Sequence, residues 1–354
     1  MDAGLQEDPG VEMHKVLVTG GAGFIGSAFV RYHRAHHPQT RLVVLDALTY
    51  AGRRDNIDES DAGVEFVHGD VRDASLVERL LEDVDAVVHF AAESHVDRSL
   101  IDAEGFISTN VYGTHVMLES VRKRPVKRFL HVSTDEVYGS VTEGDSREGD
   151  ALNPTSPYSA SKAASDLMVL AHAATHGTPV LITRSSNNFG PRQYPEKLIP
   201  LFITNALQNI PLPLYGDGRN VRDWLHVDDN CAGIDAVLRR GAVGEVYNLG
   251  AGNGRTNIEI TQAILAALDR PASLIRPVAD RLGHDRRYSV DITKARALGW
   301  APRQSFDASL AATVAWYRDN EPWWRSVKER QAEFRAYYER QYGERLASSP
   351  PMAP

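Results

Sequence analysis

Residues 16–30 read VLVTGGAGFIGSAFV. A β-branched apolar run passes directly into Gly20, Gly23 and Gly26, and these into an amphipathic stretch, so the segment predicts a strand, a tight turn and a helix. Glycine at these places lets the backbone approach a pyrophosphate closely. The helix start that follows, at Phe24 and Ile25, offers free N–H groups and a positive dipole end to the anion. Asp46 ends the next apolar run, RLVVLD, 20 residues after Gly26. A carboxylate there accepts hydrogen bonds from ribose hydroxyls and repels a 2′-phosphate. The joint spacing predicts an NAD site. Arg53 and Arg54 are a reservation, because two nearby guanidiniums would compensate for a phosphate.

Working outward, short apolar runs at 14–20, 41–46, 64–70, 86–92, 128–134 and 179–187 alternate with helix-periodic stretches. That alternation predicts an α/β fold, a Rossmann-type doubly wound parallel sheet. Beyond 187 Pro and Gly become frequent, predicting a smaller mixed α/β lobe that holds substrate beyond the carboxyl ends of the strands. The expected division is an NAD-binding domain at 14–186, with a returning segment near 222–250. A sugar-nucleotide lobe takes 187–221 and 251–343, and 1–13 and 344–354 are expected to be flexible termini.

A net charge of −8 over 354 residues gives no broad footprint for nucleic acid. Lone Cys231 has no partner for a disulfide or a CxxC metal pair, and no apolar run of about 18 residues exists to span a membrane. The opening MDAGLQEDPG is unlike a secretory leader, so a cytoplasmic location is expected. The histidines show no evident i, i+4 metal pair with a third ligand, and no metal is expected.

Further signals sit at strand ends. Asp70 closes the third run, where it would accept from an adenine amino group. Ala91, Ala92 and Ser94 are small residues that would let a cofactor lie across the sheet edge. Tyr158 and Lys162 are four apart, on one face of a helix, which would set an ammonium near a phenol and favour phenolate as a base. Thr134, Asp135 and Glu136 follow the fifth run. Two adjacent carboxyl groups suit β-elimination of water, one taking a proton from carbon and the other giving a proton to oxygen.

These motifs resemble the extended short-chain dehydrogenase/reductases. More narrowly, AAESHVDRS (91–99), HVSTDEVYG (131–139), PYSASKAASD (157–166), SNNFGPRQYPEKLIPL (186–201), YGDGRNVRDWLHVDD (215–229) and GHDRRY (283–288) resemble the dTDP-glucose 4,6-dehydratases. The resemblance covers about 14 to 325 and implies catalysis by Thr134, Asp135, Glu136, Tyr158 and Lys162, with dTDP-glucose as substrate. Val71, Thr109 and Asn188 complete the expected cofactor side. On the substrate side the resemblance implies His95, Asn187, Lys197, Leu198, Pro213, Tyr215, Arg222, Asn257, His284, Arg287 and Tyr288, beside Thr134. Leu282 departs from the family's usual Pro in D-R-P-G-H-D. Relatives commonly dimerise through two helices, here 111–123 and 158–172, which implies a homodimer. UDP-glucose 4,6-dehydratase and 4-epimerase activities remain as rivals, with a non-catalytic NAD-sensing regulator of another class. The aromatic segment 321–342 is expected only to pack.

Overall fold

Parallel strands covered on both faces need apolar residues at successive positions, and the observed runs supply them. In the computed structural model, which describes residues 10–352, the strands in chain order are β1 (Lys15–Thr19), β2 (Arg41–Asp46), β3 (Val64–His68), β4 (Ala86–His89), β5 (Arg128–Thr134), β6 (Val180–Ser185), β7 (Asn187–Phe189), β8 (Leu212–Tyr215), β9 (Val221–His226), β10 (Val246–Leu249), β11 (Gly254–Thr256) and β12 (Ile275–Val278). Seven form one parallel sheet in the order β10-β6-β5-β4-β1-β2-β3. The expected α/β doubly wound architecture is therefore present.

The helices are α1 (Phe24–His36), α2 (Ala74–Leu80), α3 (Val96–Ile101), α4 (Glu104–Phe106), α5 (Gly113–Lys123), α6 (Pro157–His176), α7 (Leu198–Leu207), α8 (Val227–Arg240), α9 (Asn257–Ala267), α10 (Thr293–Arg296), α11 (Phe306–Asp319), α12 (Glu321–Arg330) and α13 (Ala332–Ala347). Period-two alternation sorts the sheet's two faces. Val16 and Val18 of β1 pack with Phe29 of α1 and Ile234 of α8, while Leu17 between them packs with Val77 of α2, Met117 of α5 and Val169 of α6. A separate core unites α7, α9 and α11 to α13 around Tyr317 and Trp324, and forms the smaller lobe.

The chain departs from its expected division in two places. Of the segment 222–250, α8 and β10 return to the large sheet, but β9 pairs with β7 and β11 in a sheet of three strands. Nor are the described parts of the termini loose. The Val11 N–H donates to the Arg239 carbonyl at 3.0 Å, α13 runs through to Ala347, and the Met352 N–H donates to the Ile275 carbonyl at 3.1 Å. Apolar side chains hold both ends, Met13 in the core and Leu346 and Met352 against the lobe. The expectations for 1–9 and 353–354 lie outside the described residues.

Candidate active site

Backbone geometry builds the dinucleotide end. Gly20 has φ 67°, and a Cβ on it would lie 2.6 Å from the Ala91 nitrogen; one on Gly26 would lie 2.3 Å from the Gly20 carbonyl oxygen. No other residue fits either place without moving backbone. The Asp46 carboxylate accepts the Ala22 and Leu48 N–H groups at 2.9 and 2.8 Å, and burial pushes its pKa up. Arg53 is turned onto Asp55 and Arg54 onto Glu59, each through paired hydrogen bonds, and neither lines the cleft. The reservation about a 2′-phosphate is thereby met. Every residue expected on the cofactor side lines one cavity of about 470 Å³.

One wall of that cavity is pinned by a feature absent from the sequence reading. Residues 107–112 form a π-helical turn, a widened form that recurs at functional sites. Its Asn110 amide accepts from the Glu93 N–H at 2.8 Å and donates to the Glu93 carbonyl at 3.0 Å and to Ser161 of α6 at 2.8 Å. The 91–94 loop is thus tied to the helix that carries Tyr158.

The catalytic residues meet where β5 ends. Thr134 caps a single 3-10 turn at Asp135–Tyr138, its hydroxyl accepting from the Glu136 N–H and donating to Asp135 Oδ1, both at 3.3 Å. Asp135 is 2% exposed and its Oδ2 has no hydrogen-bond partner among the described residues. Burial, then the Glu136 and Asp223 charges, hold its pKa well above the carboxylate range. Burial raises Glu136 too, but Arg281, Lys197 and Arg222 pull it back down. Environment therefore splits the pair: Asp135 retains a proton to give, and Glu136 is the better placed to be ionised.

Tyr158 and Lys162 sit on α6, which is set by a Ser156–Ser159 capping box, Pro157 in its first turn and Gly177 in the left-handed conformation at its end. Here the structure corrects the expected electrostatics. Burial and the Glu136 charge raise the phenol's pKa, a hydrogen bond to Thr134 opposes them, and Lys162 is not among the largest influences on it. The Lys162 ammonium instead donates to the Val132 carbonyl at 2.7 Å and contacts His131 at 3.3 Å, and burial lowers its pKa to about 8.

A second cavity, of about 140 Å³, adjoins the first, and Glu136, Asn187, Glu196 and Lys197 line both. The acid pair thus stands at the junction of one continuous cleft. His95, Leu198, Pro213, Tyr215, Arg222, Asn257, His284 and Tyr288 line the second cavity as expected. Arg287 does not. Its guanidinium donates to the Gly144 carbonyl at 2.6 Å and pairs with Asp145 at 3.4 Å, on the far side of its loop. Besides Arg222, the arginine that lines the cavity is Arg281, paired with Asp97 at 3.2 Å. Lys197, Arg222 and Arg281 make this a pocket for a polyanion such as a diphosphate.

Comparisons agree with this geometry. The family described as GDP-mannose 4,6 dehydratase matches residues 17–313. The chain is 51% identical over 323 residues to a dTDP-glucose 4,6-dehydratase of Streptomyces antibioticus, covering 90% of this chain and 96% of that protein. The solved dTDP-glucose 4,6-dehydratase of Streptomyces venezuelae, with NAD bound, superposes with a TM-score of 0.87 at 54% identity, over 89% of this chain and all of that one. A Thermus thermophilus UDP-glucose 4-epimerase in complex with NAD is more distant, at 32% identity and a TM-score of 0.81, over 86% of this chain and 99% of that one. The chain belongs to the dTDP-glucose 4,6-dehydratase family. Enzymes of this family are NAD-dependent, and the site fits the cofactor: the glycine cradle rejects a Cβ, Asp46 faces the cavity, and Asn188 Oδ1 lies buried with no partner among the described residues.

Three residues of this family member escaped the sequence reading. Arg281 and Asp97 lay inside motifs already singled out, and Arg281 adjoins the remarked Leu282. Tyr342 gave no signal. The aromatic segment does pack, but it breaks into α12 and α13, and α13 also places Tyr342 in the second cavity's wall and Gln341 against Asp97 at 3.2 Å. The histidine reading is corrected as well. His33 and His37 are an i, i+4 pair whose third group, Asp235, lies 198 residues beyond His37, too far along the chain for spacing to reveal it.

Proposed function

We propose that this chain converts dTDP-glucose to dTDP-4-keto-6-deoxyglucose and water. One observation carries the reading: two neighbouring carboxyl groups, buried Asp135 in the first cavity and Glu136 shared by both, stand with Tyr158 where the cavities meet. The bound dinucleotide supplies positive charge that favours phenolate, and a two-electron acceptor that takes the C4 hydrogen and later returns it to C6. Tyr158 removes the C4 hydroxyl proton, directly or through Thr134. Lys162 holds the nicotinamide ribose. The new 4-ketone acidifies C5–H, which Glu136 abstracts, while Asp135 gives its proton to the C6 hydroxyl so that it leaves as water. Glu136 then returns its proton to C5. Lys197, Arg222 and Arg281 hold the diphosphate.

The pure enzyme, offered dTDP-glucose and UDP-glucose separately, is expected to yield a 4-keto product, detected by alkali-induced absorbance, faster from dTDP-glucose. An epimerase or a regulator gives none from either, and that result sinks the reading. Faster turnover of UDP-glucose would reassign the base.

A homodimer is part of the same reading. Ile107, Tyr112 and Leu167 expose 59%, 53% and 58% of their surface on and beside α5 and α6, the helices expected at the interface. Light scattering giving a monomer mass would remove this part alone. Among the described residues no helix is long and apolar enough to cross a membrane, and Cys231 is a free thiol. These support a cytoplasmic site of action, where the nucleotide sugar and NAD are available.

A further inference from the structure

On the outer face of the dinucleotide-binding domain, the reaction leaves one cluster of side chains unused. His33 lies in the last turn of α1, His37 is the residue that caps that helix's carboxyl end, and Asp235 meets both from α8. His33 Nδ1 is 2.9 Å from Asp235 Oδ1 and His37 Nε2 is 3.0 Å from Asp235 Oδ2. The three prospective ligand atoms all lie within 4.8 Å of one another. His33 and Asp235 are buried, whereas the His37 side chain keeps 23% of its surface open.

We infer that this cluster is a zinc-binding site clamping α1 to α8. Two imidazoles and a carboxylate are a donor set that Zn²⁺ favours, and here one ring comes from the last turn of α1, one from its cap and the carboxylate from α8. Zinc bonds of about 2.0–2.1 Å set tetrahedral ligand atoms roughly 3.4 Å apart. The present contacts, each imidazole on a different oxygen of the one carboxylate, already bring the three donors together on that scale. The exposed edge of His37 leaves the fourth position to water. Without metal the same groups satisfy one another as a His–carboxylate–His bridge, so zinc adds to a fold that already stands. α1 opens on the glycine turn and the cluster sits at its other end, where it fastens that helix to α8, which follows β9.

A second grouping, Glu119 with His172 and His176, is a poorer candidate. Both ring nitrogens of His172 are already engaged, Nδ1 with Thr178 at 2.6 Å and Nε2 with Glu119 at 3.3 Å.

The test uses the full NAD-loaded chain with any histidine tag removed. Equilibrium dialysis against zinc chloride is expected to load a single zinc per chain and to raise the melting temperature as zinc is added. Cobalt chloride is expected to give the visible bands of a tetrahedral site. His37→Ala, at the partly open position, is expected to fold normally and to lose at least about 100-fold in zinc affinity, more than the loss of an outer-shell partner usually costs. Asp235→Asn should behave likewise if it folds. No zinc uptake by the parent chain, unchanged affinity in His37→Ala, or loss confined to His176→Ala would each overturn the assignment.

Discussion

The two ends of the cleft are built by opposite means. The dinucleotide end is made of consecutive strand-end loops, where backbone and small side chains set the shape and Gly20 and Gly26 admit no substitute. The nucleotide-sugar end is gathered by charge. Asp97 of α3 holds Arg281, Tyr215 and Gln341 at 3.2, 2.8 and 3.2 Å, from segments 184, 118 and 244 residues away. A second hold is Arg98, which bonds Glu196 at 2.9 Å and Glu333 of α13 at 2.8 Å. Chain connectivity fixes the first end, and long-range pairing fixes the second. The chemistry lies where they meet.

The largest effect is expected at that junction. Tyr158→Phe should lower turnover by about 10³–10⁴-fold, in the range for loss of a general base, with NAD and dTDP-glucose both still binding. A variant that also lost either ligand would make Tyr158 part of one end. Asp135→Asn should slow elimination by about 10²–10³-fold while C4 oxidation continues, so the absorbance of reduced cofactor accumulates in single turnover. Normal turnover would show that Asp135 is not the acid.

The pH profile sharpens the same point. Burial raises Glu136, so it gains its proton, and elimination slows, as pH falls through a value above the ordinary glutamate range. Asp135, held well above the ordinary carboxylate range by burial and then by the Glu136 charge, keeps its proton to higher pH than a free aspartate would. An acid limb lying within the ordinary range would remove the raised proton affinity assigned to Glu136.

Smaller effects separate the two ends. Arg281→Lys keeps the charge but loses the guanidinium fork, and should raise the KM for dTDP-glucose about tenfold with NAD affinity unchanged. A parallel fall in NAD affinity would erase the contrast drawn above. Ser156→Ala removes the α6 cap and should cost about 1 kcal/mol in chemical denaturation, with neither KM altered.

The same contrast explains what was legible in the sequence. Gly20, Gly23, Gly26 and Asp46 were readable because backbone constraints leave fixed spacings, and the strands because buried parallel β-structure needs continuous apolar runs. The acid pair could be read because both members are adjacent in the chain. Arg287 is what the resemblance implies, and a sequence does not say which way a guanidinium turns; Gly144 and Asp145 hold Arg287, while Arg281 lines the cavity. The phenol's raised pKa was hidden for a related reason. An i, i+4 lysine is visible in the sequence, whereas burial and the charges converging from β5 arise only on folding. The π-helical turn at 107–112 left no pattern of its own.

The docking of α13 has a practical consequence for how the molecule is handled. The carboxyl end is hydrogen-bonded to β12 through Met352, and the helix before it lends Tyr342 to the substrate wall. A tether, reporter or sensor surface joined there would tug directly on the sugar-nucleotide pocket. Attached ahead of residue 10, whose neighbour Val11 is fastened to α8, the same load falls on the outer face of the sheet and leaves the binding measurement undisturbed.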